Sequence, residues 1–179
     1  NLEIKRGYKE NDILGGNDPY SASKASAELA IQSYISSFFP VKKTNILISI
    51  ARAGNVIGGG DWALDRIVPD CMRAWKNKKA VEIRSPNATR PWQHVLEPLS
   101  GYLNLAENLY NSPKLNGESF NFGPLSEYTK SVVRLISDLS TSLDFDNKKP
   151  YKIIDNIKFD EAGLLKLNCD KALFHLGWT

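Results

Sequence analysis

One run of residues constrains the fold more than any other. Ile46-Leu47-Ile48-Ser49-Ile50-Ala51 is nearly continuous, apolar and β-branched, which suits a strand buried on both faces of a parallel sheet. A parallel strand needs crossover connections, so helices must flank it. The sequence supplies one on the amino side. Asp18-Pro19 reads as a helix start, a carboxylate able to cap free amides followed by proline at the first helical position. From there Ala27, Ala30, Ile31, Tyr34 and Phe38 recur at helical spacing, and Pro40 ends the run. On the carboxyl side, Arg52 to Trp62 reads as a Gly-rich loop with Gly54, Gly58, Gly59 and Gly60.

The alternation continues. A helix is predicted from about Asp65 to Asn77, with Ile67, Val68, Cys71, Met72 and Trp75 on its apolar face, before a short strand over Val81–Arg84 and a Ser85-Pro86-Asn87 turn. Further helices are predicted over Leu99–Leu109, Thr129–Leu143 and Asp170–Leu176, and strands over Ser119–Phe122, Tyr151–Ile154 and Leu164–Leu167. Residues Asn1 to Asn17 read as loop. The class is α/β.

Composition narrows the function. With 23 Lys and Arg against 20 Asp and Glu, the net charge is +3. The densest basic patch, Arg73, Lys76, Lys78 and Lys79, reads as the solvated end of a helix, so no nucleic-acid partner is expected. No run approaches the roughly 18 apolar residues of a membrane span, and the first residues lack the charged-then-apolar pattern of a secretion signal. Cys71 and Cys169 are too few for a disulfide scaffold and fit a reducing, cytoplasmic setting. His94 has no second metal-type ligand at usable spacing, so it reads as structural and no metal is expected. The first residue is Asn1 and the single methionine is Met72, so the chain is expected to be a portion of something longer.

The chemistry concentrates at the start of the capped helix. Tyr20 and Lys24 are four residues apart and share one face. A lysine ammonium near a phenol favours the phenolate, which makes Tyr20 a candidate general acid/base toward a hydroxyl or carbonyl. Lys24 could also donate to the ribose hydroxyls of a nicotinamide cofactor. A surface helix with a half-buried tyrosine is the bland alternative. A second pair at this spacing, Tyr110 and Lys114, is interrupted by Pro113 and reads as chance.

Longer strings add to the pair. Asn17-Asp-Pro-Tyr-Ser-Ala-Ser-Lys24-Ala-Ser-Ala-Glu28 resembles the active-site helix of the extended short-chain dehydrogenases/reductases, and Arg52-Ala-Gly-Asn55-Val56-Ile-Gly58 resembles their substrate-side turn. Within that family, several strings are similar to the CDP-glucose 4,6-dehydratases. They are Gly54-Asn-Val-Ile-Gly-Gly-Gly-Asp-Trp62, Arg66-Ile-Val-Pro-Asp70, Thr89-Arg-Pro-Trp-Gln-His-Val-Leu-Glu-Pro-Leu-Ser-Gly-Tyr102, Phe120-Asn-Phe-Gly-Pro124 and Leu176-Gly-Trp178.

The resemblance implies a fold, a reaction and a set of residues. The fold would be the C-terminal part of an extended Rossmann-type protein, a partial parallel sheet with a small mixed substrate-binding subdomain. Residues 1–60 would complete the NAD-binding domain and 61–179 would bind mainly the sugar nucleotide, with 99–122 returning to the sheet. The Gly-rich dinucleotide turn and the elimination residues would lie upstream of Asn1, leaving this portion inactive alone. The implied reaction is NAD-dependent dehydration of CDP-glucose to CDP-4-dehydro-6-deoxyglucose, which feeds deoxysugars of bacterial surface polysaccharide such as O-antigen. Tyr20 would take the 4-hydroxyl proton and, with Lys24 and the Val56 backbone, meet the cofactor; Lys24 would also tune Tyr20. Asn55, Arg66, Arg90 and Asn121 would contact the sugar nucleotide, while Trp62 and Trp92 would pack. Arg52 could be either an ion-pair partner or a ligand. The Tyr20–Phe39 helix would form a homo-oligomer contact, dimer or tetramer. The runners-up are another extended-family epimerase or dehydratase, or a non-catalytic sugar-nucleotide-binding fragment.

Overall fold

A computed structural model describes residues 3–16, 18–125, 128–145, 149–154 and 163–179. Asn17, the first residue of the helix motif, lies outside them. Helix α1 (Pro19–Phe38) begins where its cap predicts: the Asp18 carboxylate accepts from the Ser21 amide at 2.9 Å and from its hydroxyl at 2.6 Å. Strands β1 (Ile50–Ala53) and β2 (Asn55–Ile57) follow, then α2 (Ile67–Lys76) and β3 (Val81–Ile83). After these come β4 (Thr89–Arg90), β5 (Trp92–His94), α3 (Leu96–Asn111), β6 (Ser119–Phe122) and β7 (Lys130–Ser131). The order closes with α4 (Val132–Ser142), β8 (Tyr151–Ile153) and α5 (Asp170–Leu176).

The strands pair as four ribbons, and three are parallel: β1 with β6, β2 with β5, and β3 with β8. Among the described residues only β4 and β7 run antiparallel. Two cores result. Phe120, Phe122, Leu105, Ala172 and Leu176 join α3, β6 and α5. Burying each of the two phenylalanines is worth about 1.5–3 kcal/mol. The second core, Cys71, Trp75, Val81, Ile83 and Ile136, joins α2, β3 and α4, with Tyr151 of β8 packed against it. Burial pushes the Cys71 thiol up to about 12.

The structure moves the opening strand. Ile46 to Ser49 lie outside the ladder, Ile46 is exposed, and pairing begins at Ile50. Nor is the strand buried on both faces, because Ala51 and Ala53 are exposed. The reason is position: among the described residues β1 has a partner on one side only, so an apolar run lacks a second neighbour to cover it. The Gly-rich stretch is also more ordered than its composition suggests, because β1 extends to Ala53 and β2 occupies Asn55–Ile57. Their partners lie 37–69 residues away in the register, a range that local periodicity does not see. Leu164 and Leu167 make single bridges, to Thr89 and Tyr8, rather than a strand.

Helix α1 docks through a largely polar face. Ser21, Ala25, Glu28, Gln32 and Ile35 are inward, whereas Ala27, Ala30, Ile31, Tyr34 and Phe38, the apolar set, are exposed. Polar side chains do the docking. Gln32 Nε2 donates to Gly117 O at 2.7 Å, and Glu28 binds Arg52.

Candidate active site

The anchors of α1 fix its direction against the sheet. Its carboxyl end lies at the amino end of β6, where Asn116 Nδ2 donates to Phe39 O at 3.1 Å and Gln32 reaches Gly117. Its middle lies over the paired strands, through Glu28 with Arg52 and Ser119. The amino end, with Tyr20 and Lys24, therefore points toward the carboxyl ends of β1 and β6. Open α/β sheets bind ligands at that edge.

Tyr20 is 67% exposed, and the Lys24 ammonium sits 5.6 Å from the centroid of its ring. Among the described residues Lys24 forms no ion pair, so its ammonium is available to a ligand. The second tyrosine–lysine pair is divided as expected, because Tyr110 ends in α3 while Lys114 belongs to a separate 3-10 turn, Pro113–Leu115. The exposed stripe that carries Tyr20 and Lys24 continues along the helix as Ala27, Ile31, Tyr34 and Phe38. The last two rings touch at 5.5 Å.

Past the carboxyl end of β1, one glycine makes the turn possible. A Cβ at Gly54 would lie 2.7 Å from Pro91 O and 2.9 Å from Pro91 Cγ, and one at Gly58 would lie 2.8 Å from Val95 Cγ1. Close backbone approach, rather than ligand binding, explains these two glycines. Gly54 N donates to Phe122 O at 3.1 Å, and Gln93 Nε2 donates to the same oxygen at 3.0 Å. The turn so held presents Asn55, half-buried with its side chain unengaged among the described residues, and Val56, 41% exposed.

The remaining expected residues divide. Arg66 precedes α2 and is exposed, with no side-chain partner among the described residues. Arg90 is half-buried in β4, donating from Nη1 to Thr89 O at 2.9 Å. Asn121 does not face open space. It is 1% exposed, and its Nδ2 donates to Tyr8 O at 2.9 Å and Asn168 O at 3.1 Å. Its backbone amide donates to Glu10 Oε1 at 2.8 Å. It braces the two chain segments that cross β6, which corrects its expected place in a nucleotide pocket. Trp62 is a second correction, since it is exposed rather than packed. His94 is exposed too, and its Nδ1 accepts from Leu96 N at 3.3 Å. A depression of about 440 Å³ opens beside the amino end of β6, and none of the expected site residues lines it.

Two ionic devices escaped the sequence reading in whole or part. Arg73 ties the Gly-rich loop to α2, donating to Trp62 O at 2.8 Å and Ala63 O at 3.0 Å while pairing with Asp70. Arg52 resolves as an ion-pair partner, forked onto Glu28. Glu28 carried the signal for the second, lying within the helix motif. Nothing local marked the carbonyls that Arg73 would meet.

No protein-family model matches the chain. Solved structures match its fold. An epimerase from Methanothermobacter thermautotrophicus superposes with a TM-score of 0.79 at 20% identity, covering 99% of this chain and 50% of its own. A dTDP-glucose 4,6-dehydratase from Streptomyces venezuelae, solved with NAD bound, gives 0.77 at 18% identity, covering 97% and 49%. These matches show the fold, an extended Rossmann-type one, of which the chain spans about half.

Sequence narrows the class. The chain is a relative of the CDP-glucose 4,6-dehydratase of Salmonella typhimurium, at 44% identity over 189 residues, 99% of this chain and 50% of the enzyme. A dTDP-D-glucose 4,6-dehydratase of Dictyostelium discoideum is 31% identical over 103 residues, covering 57% of this chain and 22% of its own. The chain spans about half the length of the Salmonella enzyme.

Proposed function

We propose that the chain forms part of an NAD-dependent CDP-glucose 4,6-dehydratase and carries the acid/base pair of its oxidation step. The observation that carries this reading is the Tyr20–Lys24 pair at the ligand-binding edge of β1 and β6, its ammonium free of ion pairs among the described residues. The 44% identity to the Salmonella enzyme supports the substrate. NAD fits the donor set: an unspent ammonium suits ribose hydroxyls, and the exposed Val56 lies on the turn that follows β1. When bound, NAD supplies the nicotinamide that accepts hydride from C4 of the sugar. Tyr20 acts as the phenolate, which the Lys24 ammonium favours; its Oη takes the proton from the 4-hydroxyl and becomes a phenol as C4 becomes a carbonyl. Asn55 orients the sugar. Arg66 and Arg90 meet the diphosphate or nucleotide, their planar forks matching phosphate oxygens. Asn121 serves this site indirectly, by bracing β6.

In this reading residues 1–60 complete the cofactor domain, 61–179 mainly bind the sugar nucleotide, and 99–122 return to the sheet. The exposed stripe of Ile31, Tyr34 and Phe38 is the subunit contact. The reactants place the work in the cytoplasm, with the product directed to deoxysugars of surface polysaccharide. No helix among the described residues is long and apolar enough to cross a membrane.

The test is turnover by the full-length protein. CDP-glucose and NAD should yield a 4-keto-6-deoxy product, detected as loss of one water by mass spectrometry. Tyr20→Phe should cut kcat by about 10²–10⁴-fold with KM little changed. An epimerised product without water loss would support the epimerase alternative, and CDP-glucose binding without turnover a non-catalytic role.

A further inference from the structure

Glu28 stands one turn after Lys24 on α1, at the i,i+4 separation where lysine and glutamate meet on a helix surface. A carboxylate there is a standing competitor for the Lys24 ammonium. Both of its oxygens are nevertheless engaged elsewhere. Oε2 accepts from Arg52 Nε at 3.0 Å; Oε1 accepts from Arg52 Nη2 and from Ser119 Oγ, the latter at 2.9 Å. The third arm of the guanidinium, Nη1, donates to Glu10 O at 3.1 Å and holds the fork in place. The two side chains are only 22% and 12% exposed, so water competes weakly for the pair. Bidentate and partly desolvated, such a pair is among the stronger polar contacts in proteins.

We propose that Arg52 is a positioning residue for the oxidation step, an inference that rests on the roles of Tyr20 and Lys24 given above. By occupying Glu28, it keeps that carboxylate off Lys24 and leaves the ammonium over the Tyr20 ring. The same fork sets α1 against β1, whose carboxyl end leads into Asn55 and Val56. One guanidinium therefore links the acid/base pair to the turn that faces substrate.

The test compares Arg52→Gln, Glu28→Gln and the double variant in the full-length protein. Losing Arg52 alone releases Glu28 to capture Lys24. The kcat on CDP-glucose should then fall about tenfold to a hundredfold with KM changed less than about twofold, misplaced catalytic groups costing up to roughly 10²-fold. Removing Glu28 as well deletes the competitor, so the double variant should recover most of the lost kcat although the bridge is gone. A bridge that only stabilises the fold predicts the reverse, a double variant at least as impaired as Arg52→Gln. That outcome overturns the proposal, as does an unchanged kcat in Arg52→Gln. Should Arg52→Gln fail to fold, Arg52→Lys takes its place. It keeps the charge but cannot hold both oxygens, and the same order of activities is expected. A wild-type protein inactive on CDP-glucose refutes the functional reading and the positioning role with it. Active wild type with unaffected variants refutes the positioning role alone.

Discussion

Replacing Gly54 by alanine probes the turn that carries Asn55 and Val56, and Gly59→Ala provides a control five residues away. The added Cβ at Gly54 would stand 2.7 Å from Pro91 O, roughly 0.7 Å inside the 3.4 Å where ordinary contact begins. The obstacle is a backbone carbonyl and a proline ring, neither of which can rotate aside. Overpacking of this kind costs about 1–3 kcal/mol, and stretching the Gly54 N to Phe122 O hydrogen bond adds about 0.5–1.5. A total near 2–4 kcal/mol leaves a domain of about 5–15 kcal/mol folded but weakened. At Gly59 a Cβ meets nothing within 4 Å. Both substitutions gain about 0.4–1 kcal/mol through the unfolded chain, which cancels in the comparison. Urea unfolding of the full-length variants should show Gly54→Ala weakened and Gly59→Ala as stable as wild type or up to about 1 kcal/mol more so. On CDP-glucose, Gly54→Ala should also lose activity, because displacing a positioned group by about 1 Å can cost roughly 10²-fold. Equal stability of the two variants would refute the close-approach argument.

Phe122→Ala should cost about 3–5 kcal/mol in urea unfolding, because the ring is fully buried against Tyr102 and Trp178, with Gly101 pressed to its face. The Asp18 cap has an acid limb. Hydrogen bonds from the Ser21 hydroxyl and amide hold its carboxyl below the ordinary 3.8. Its contribution is therefore complete above that unfolded value and lost as pH falls through the lower folded one. Thermal midpoints from about pH 6 to about pH 2 should show this limb flattened in Asp18→Asn, which keeps an acceptor that does not titrate. Phe38→Glu should lower the oligomeric state in sizing experiments. Ile35→Glu should instead destabilise the subunit, because Ile35 is buried inside it.

Local chemistry was readable wherever a residue acts through its neighbours in sequence. The Asp18-Pro19 cap set the start of α1, Ser119–Phe122 and Asp170–Leu176 were bounded as found, and Tyr20 and Lys24 shared a face by helix geometry alone. Residues that act across the fold were legible only as alternatives. Arg52 stood between ligand and ion-pair partner until Glu28, 24 residues earlier, met it. Asn121 sat in a family motif, yet only the crossing of Tyr8 and Asn168 over β6 showed its amide to be an internal brace.

The helix faces needed the fold. Periodicity gave α1 an apolar side without naming what covers it; the helix docks through Glu28 and Gln32 and leaves Ile31, Tyr34 and Phe38 exposed. The sequence by itself determined that helices and parallel strands alternate and that a tyrosine–lysine pair opens the first helix. Hydrophobic spacing and capping are local, and they fix an element before it meets its partners. Only the tertiary structure decided where β1 begins, which face of α1 turns inward, and that an arginine shields Lys24 from a glutamate one turn away. Those outcomes depend on partners distant in the chain, brought within hydrogen-bonding distance only by folding.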